Sequence, residues 1–251
     1  MGVHVFTTMG TTVSLRFAGP TAAASALAGV EDAFDEHDRR FSLYRPDSEL
    51  SRVARGELAL TRSSVELRET YAEAIDWSAR TGGAFTPHRP DGVIDLSGTV
   101  KARAIAAAAH RLDAAGETDW MLVAGGDILV AGAIGGEPWR AGVVDPDDRG
   151  ALLTAVELGG RRLALATSGT AERGEHIWRG AGRASAPYSQ VSVLAEGIMT
   201  ADVLATALVA AGPERCQELV DRFDLEVLTV DLDGALTATA GFTQARGLAR
   251  S

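Results

Sequence analysis

The chain has 251 residues, 46% of them hydrophobic, with a mean hydropathy near zero, which is ordinary for a globular protein able to bury a sizeable core. Its formal charge of −10 at pH 7 argues against nucleic acid or an anionic membrane as the main partner, so a polyanionic ligand would need a metal or a few placed cations. The single cysteine, Cys216, excludes an internal disulfide and a multi-cysteine zinc site; with no basic segment leading into an apolar run and no stretch long enough to span a bilayer, the expectation is a cytoplasmic protein that inserts into no membrane.

Val3 to Phe17 alternates loosely and is rich in Thr and Val, which predicts one or two strands around Met9-Gly10-Thr11. From Thr21 the apolar positions Leu27, Val30 and Phe34 recur at helical spacing, and Pro46 breaks the segment before Asp47 or Ser48 caps a short turn. Ser63 and Glu66 have the spacing of a capping box for a helix whose buried stripe is Leu67, Tyr71, Ala74 and Ile75, ending near Thr81-Gly82-Gly83. Asp95-Leu96-Ser97-Gly98-Thr99-Val100-Lys101 leads into a helix with Ile105, Ala108, Ala109 and Leu112 on its apolar face. The Ser-Gly pair at its start would let backbone approach a ligand closely.

Strands are then predicted at Trp120–Val123, Ile128–Ala133, Trp139–Val144, Leu152–Leu158, Leu163–Thr167 and Gln190–Leu194, as an antiparallel meander. Asp145-Pro146-Asp147-Asp148-Arg149-Gly150 imitates the start of a calcium loop, but Arg149 occupies a ligand position and Val156 stands where the bidentate Glu belongs, so a hairpin turn is expected. A helix through Cys216, Leu219, Val220 and Phe223 and a last hairpin, Leu225–Val230 with Ala235–Thr239, complete an α+β reading: one unit over residues 1–251, antiparallel sheets flanked by helices.

One helix stands apart. From Ile198 to Ala211, stopped by Gly212-Pro213, it is apolar nearly all round, with Thr200 as the expected N-cap and Asp202 in the first turn. Asp202 and Thr206 lie one turn apart on one face. A buried carboxylate and hydroxyl need a compensating partner, and a hard cation such as Mg²⁺, which keeps waters and substrate phosphates around few protein oxygens, suits so sparse a set. The alternative is a solvated first-turn carboxylate beside a Thr bonded back to the preceding turn.

Generic catalytic motifs are missing: there is no P-loop, dinucleotide fingerprint, nucleophile elbow or His-Glu-x-x-His. Gly125-Gly126-Asp127 between two strands is either a tight turn or a close backbone approach to a ligand. His176 follows the strand ending Ala166-Thr167-Ser168-Gly169; a lone His is more often structural than functional.

In order, Met9-Gly10-Thr11, Phe41 to Ser51, Gly83-Ala84-Phe85, Asp95 to Lys101, Gly125-Gly126-Asp127-Ile128, Ala166 to Gly169, His176-Ile177 and Asp202 to Ala207 resemble the FAD:protein FMN transferase family, the ApbE family, formerly called thiamine-biosynthesis lipoproteins. The resemblance implies a T-fold-like α+β architecture and Mg²⁺-dependent transfer of the FMN half of FAD to a Ser or Thr hydroxyl of an acceptor flavoprotein, releasing AMP, with Mn²⁺ as an alternative ion. By position it implies Asp202 and Thr206 as side-chain metal ligands and Gly98 as a backbone ligand. It places FAD against Met9, Tyr44, Ala84, Phe85, Thr86, Asp95, Lys101 and Ile177. Asp202 would thereby be catalytic, and His176 is the candidate base for the acceptor hydroxyl. This chain departs from the pattern at Thr86 and Ala102, where Asp and Gly are usual, in a short Pro87–Ile94 segment, and at Trp178-Arg179-Gly180, where the motif begun by His176-Ile177 normally ends in Asp-Pro. Two alternatives therefore stand beside the transferase: an FAD pyrophosphatase giving FMN and AMP, and a non-catalytic flavin-binding protein.

Overall fold

A computed structural model describes residues 1–169, 188–211 and 213–245. Its main body is an eight-stranded antiparallel sheet in the order β1 (Gly2–Thr8), β2 (Thr11–Phe17), β3 (Trp120–Ala124), β4 (Asp127–Ala131), β7 (Ala164–Gly169), β8 (Tyr188–Ala195), β9 (Glu226–Asp231) and β10 (Leu236–Ala238). Helices α1 (Ala24–Phe41), α2 (Glu49–Ala54), α3 (Val65–Arg80) and α4 (Ser97–Ala114) are inserted between β2 and β3. Between β8 and β9 come α5 (Ile198–Ala210) and α6 (Pro213–Phe223), and α7 (Ala240–Ala245) follows β10. The expected α+β architecture with antiparallel sheets and flanking helices is what forms.

The central strands β3, β4, β7, β8 and β9 are covered on both faces, which explains why they read as apolar runs rather than as alternation. Successive side chains go to opposite sides. Trp120 and Leu122 of β3, with Val13, Leu15 and Phe17 of β2 and Val191 and Val193 of β8, join a core beneath the helices. Met121, Ile128, Val130, Leu165, Leu194 and Leu228 join a second core on the far face. The second core is closed by α7, through Phe242 and Ala245, and by the separate two-stranded sheet of β5 (Trp139–Val144) and β6 (Leu152–Leu158).

Two antiparallel sheets are what the fold reading expects, and that hairpin is where the expected meander departs from simple strand-to-neighbour order. Trp139, Ala141, Val143, Val156 and Leu158 must be buried, and turning their faces onto the far side of the sheet achieves it while β4 pairs directly with β7 at Ile128↔Leu165 and Leu129↔Ala164. Asp145 to Gly150 is the hairpin turn expected, with Asp145 Oδ1 accepting the Asp147 N–H at 2.9 Å.

Local starts also shift. Helix α3 is capped by Ser64, not Ser63: Ser64 Oγ accepts the Leu67 N–H at 3.2 Å, and the reciprocal partner is Glu49 from α2, whose Oε2 accepts from Ser64 Oγ at 2.6 Å. The face of α3 turned inward carries Leu67, Thr70, Ala74 and Trp77, which leaves Ile75 38% exposed. Helix α5 starts at Ile198 as its expected bounds have it, but with Gly197 rather than Thr200 at the N-cap, so Asp202 sits in the second turn. The helix dipole is therefore no longer the reason for that carboxylate, because its effect is confined to the first turn.

Candidate functional site

Helix α5 is apolar all round because it lies on β7 and β8 and packs against α4 on its other side. Asp202 is fully buried in it, so the reading of Asp202 as a solvated carboxylate does not hold. One turn on, Thr206 is half-buried, and its Oγ1 lies 3.1 Å from Ser168 Oγ on β7. Ser168 shares its side of β7 with Ala164 and Ala166, which belong to the core beneath the helices, so strand periodicity brings its hydroxyl to α5.

Helix α4, which packs against α5, carries the next group of expected site residues at its start. Asp95 Oδ1 accepts the Ser97 N–H at 2.9 Å, so the side chain expected to contact FAD closes an Asx turn at the entry to α4. Gly98 lies against the ring of Phe85: a Cβ there would come within 2.7 Å of Phe85 Cε2. The pair thus needs glycine for a steric reason as well as for any ligand approach. Phe85 and Ala84 are buried, with the Phe85 N–H donated to Thr81 Oγ1 at 3.1 Å. Thr86 Oγ1 accepts the His88 N–H at 3.2 Å, and His88 Nε2 is 3.0 Å from Tyr71 Oη, which fastens the short 86–95 loop to α3.

Lys101, one turn beyond Gly98, places its Nζ 2.6 Å from Asp127 Oδ2; the carboxylate is wholly buried and the lysine side chain 19% exposed. Asp127 opens β4 after the two-residue turn Gly125-Gly126, whose first residue has φ +61°, a conformation for which glycine has no steric penalty. Gly125-Gly126-Asp127 is thus both a tight turn and the means of delivering a carboxylate beneath α4.

Met9 and Gly10 form the β1–β2 tip with φ of 49° and 70°, and the Gly125 N–H reaches Thr12 O at 3.3 Å, so both hairpin tips stand at one end of the sheet. A left-handed methionine is uncommon and costs about 1–2 kcal/mol, and the two-residue loop between Thr8 and Thr11, which favours positive φ at both positions, is what imposes it. Tyr44, in the turn after α1, is 84% exposed.

The structure therefore brings together Gly98 with Phe85, Lys101 with Asp127, and Thr206 with Ser168, on elements packed against one another. His176 and Ile177, with Trp178-Arg179-Gly180, lie outside the described residues. Sequence reasoning passed over the side chains of Asp127 and Ser168. A signal for the first existed: of 24 Lys and Arg residues, Lys101 is the one lysine, and a lone lysine on a helix beside a candidate site asks for a partner.

Among the described residues no group of three or more His, Cys, Asp or Glu could enclose a metal. What Asp202, Thr206 and the first turn of α4 offer is a carboxylate, a hydroxyl and main-chain carbonyls. This all-oxygen set fits a hard cation that retains water or substrate oxygens, and does not fit zinc or copper. No helix among the described residues is long and apolar enough to cross a membrane.

The profile of the ApbE family matches residues 9–90 and 86–229. The FAD:protein FMN transferase of Rhodobacter capsulatus is 34% identical over 171 residues, 63% of this chain and 32% of that protein. The FAD:protein FMN transferase of Haemophilus influenzae is 26% identical over 152 residues, 56% of this chain and 44% of that protein. The chain thus matches less than half the length of either relative. Among solved structures, the flavin transferase ApbE of Vibrio cholerae superposes with a TM-score of 0.78 at 25% identity, covering 97% of this chain and 99% of that one. The ApbE protein of Thermotoga maritima gives 0.82 at 19% identity, covering 98% and 99%, which speaks for the fold alone.

Proposed function

Because the chain belongs to the ApbE family, we propose that it is a divalent-cation-dependent FAD:protein FMN transferase that moves the FMN half of FAD to a Ser or Thr hydroxyl of an acceptor protein and releases AMP. The observation that carries the reading is Asp202, a carboxylate with no solvent exposure on a helix apolar nearly all round, one turn from a hydroxyl held by Ser168. A charge at such a position is kept only where it is paired or coordinates a metal, and a metal is the use this reading gives it.

Asp202, Thr206 and the Gly98 carbonyl would hold Mg²⁺, with Mn²⁺ as an alternative. When bound, the ion supplies charge neutralisation across the pyrophosphate as AMP departs. Lys101 donates to a phosphate oxygen as a compact point charge. Phe85, seated on Gly98, gives the flavin an apolar wall, while Met9, Tyr44, Ala84, Thr86, Asp95 and Ile177 complete its surroundings. The acceptor hydroxyl oxygen attacks the FMN phosphorus, the bridging P–O bond breaks, and AMP leaves with the electron pair. The hydroxyl proton passes to His176, whose ordinary pKa near 6.5 suits a base at neutral pH.

A second reading is favoured by one feature of the sequence. Arg179 stands two residues after Ile177 where Asp is usual, a charge reversal beside the proposed base, and an enzyme that had lost its acceptor side but kept its ion would hydrolyse FAD to FMN and AMP. Incubation with FAD, Mg²⁺ and a candidate acceptor separates the outcomes. Covalent flavin fluorescence on the acceptor with equimolar AMP supports the transferase, FMN plus AMP with a bare acceptor supports the hydrolase, and unchanged bound FAD overturns both.

A further inference from the structure

The chain carries 24 Lys and Arg residues, and only position 101 is lysine. Where arginine serves every other cationic position, a single lysine marks a place that needs what arginine lacks: a compact ammonium with three freely directed donors rather than a planar fork. That lysine lies on α4, one turn after the glycine that Phe85 packs against. Its Nζ is 2.6 Å from the carboxylate of Asp127, which has no solvent exposure at all.

A buried ion pair is a poor way to fasten a helix to a sheet. Desolvating both charges offsets most of their attraction, and apolar residues of similar volume commonly do as well or better. The surroundings here already supply that adhesion, since Val100, Ala104, Ile105 and Ala108 of α4 are buried among core side chains. The charge at Asp127 therefore calls for another use. It comes from the first residue of β4, fixed by the two-residue glycine turn and sharing the helix-side face with Leu129, so it cannot follow the lysine if α4 or the ligand moves. One ammonium donor directed at Asp127 leaves two others, and the 19% of the lysine side chain still exposed is its outlet to a ligand.

We infer that Asp127 is a positioning residue for FAD binding: it holds the ammonium of the chain's only lysine at the mouth of the site, so that the remaining donors meet a phosphate oxygen without a search through rotamers. The inference rests on the FAD reading given above. Lys101 carries the contact with substrate and Asp127 acts through it. A flexible lysine loses considerable side-chain entropy when fixed, and that loss is taken at folding here rather than at binding.

The single lysine also makes the test direct. In protein labelled with ¹⁵N-lysine, the only side-chain ammonium is that of Lys101, and equilibrium FAD affinity is measured in parallel by quenching of flavin fluorescence in the presence of Mg²⁺. Wild type should show an ammonium signal protected from solvent exchange that shifts on adding FAD. Asp127→Asn should lose that protection and weaken FAD binding by roughly tenfold, a charge-assisted contact's worth. Lys101→Met should weaken binding by at least as much, and Asp127→Asn added to Lys101→Met should then change affinity little, because the two act as one unit. If Asp127→Asn binds FAD as wild type does, or weakens it equally with and without Lys101, the positioning role is overturned while the FAD reading stands. Wild type that binds no FAD overturns both. Should Asp127→Asn not fold, the wild-type signal decides: an unprotected ammonium that FAD leaves unmoved refutes the inference.

Discussion

On the far face of the large sheet the buried polar side chains, Gln190 and Ser192, are neutral: Gln190 Nε2 donates to Val144 O at 3.0 Å, and Ser192 shares a bond of 2.8 Å with the half-buried Thr167 across β7 and β8, while the ion pair of Arg162 with Glu226 on that side stays half-exposed at the rim. On the helix side lie the two fully buried carboxylates of the described residues, Asp127 and Asp202. Both sides solve the same packing problem, and the far side shows that neutral groups bonded locally suffice for it. Buried charge under the helices is an expensive way to obtain the same packing, which is why it is read here as a candidate for function.

The comparison breaks most visibly at Asp202. Asp202→Ala should lower FMN transfer by roughly two to three orders of magnitude, as loss of a group stabilising transition-state charge does, with little change in Tm. A loss of folding instead would put Asp202 on the same footing as the far-face residues. The converse change is Trp139→Ala, which empties a 3% exposed indole site and removes the 2.9 Å bond to Ala131 O. It should cost about 3–5 kcal/mol in chemical denaturation while kcat of the folded fraction stays near wild type.

Gly98→Ala tests the boundary between packing and site, because the new methyl meets Phe85. It should cost about 1–3 kcal/mol and raise KM for FAD, and Phe85→Leu in the same chain should recover the stability without the affinity. Smaller still, Gln190→Leu should cost about 1 kcal/mol and leave transfer unchanged, which urea melts with a parallel activity assay would show.

The least effect is one of pH. Burial, and then the charges of Arg103 and Arg40, hold His37 below its ordinary pKa of 6.5, against the raising effect of its bond to Ala33 O. The unfolded chain therefore takes up this proton first as pH falls, so stability declines below about pH 6.5 until the folded pKa is reached. His37→Gln should flatten that part of the Tm profile.

Much of this was legible in the chain itself. The strands of the sheet, the turn at Asp145 to Gly150 and the odd polarity of the 198–211 helix all follow from local patterns, because periodicity and turn chemistry are properties of neighbours along the backbone. Other features were not legible. Ser64 replaces Ser63 as the cap because Glu49, from a different helix, accepts its hydroxyl, and Ile75 is exposed because α3 turns Trp77 inward.

The sequence by itself determined that the chain makes an antiparallel sheet with helices and that Asp202 and Thr206 share a helix face, since both depend on spacing alone. Only the tertiary structure decided that β5 and β6 leave the sheet to cap its far face, that Ser168 meets Thr206, and that Asp127 lies beneath Lys101. Those pairings join residues tens of positions apart, and which of them meet is fixed by how the layers share their buried surface, a quantity no single stretch of chain contains.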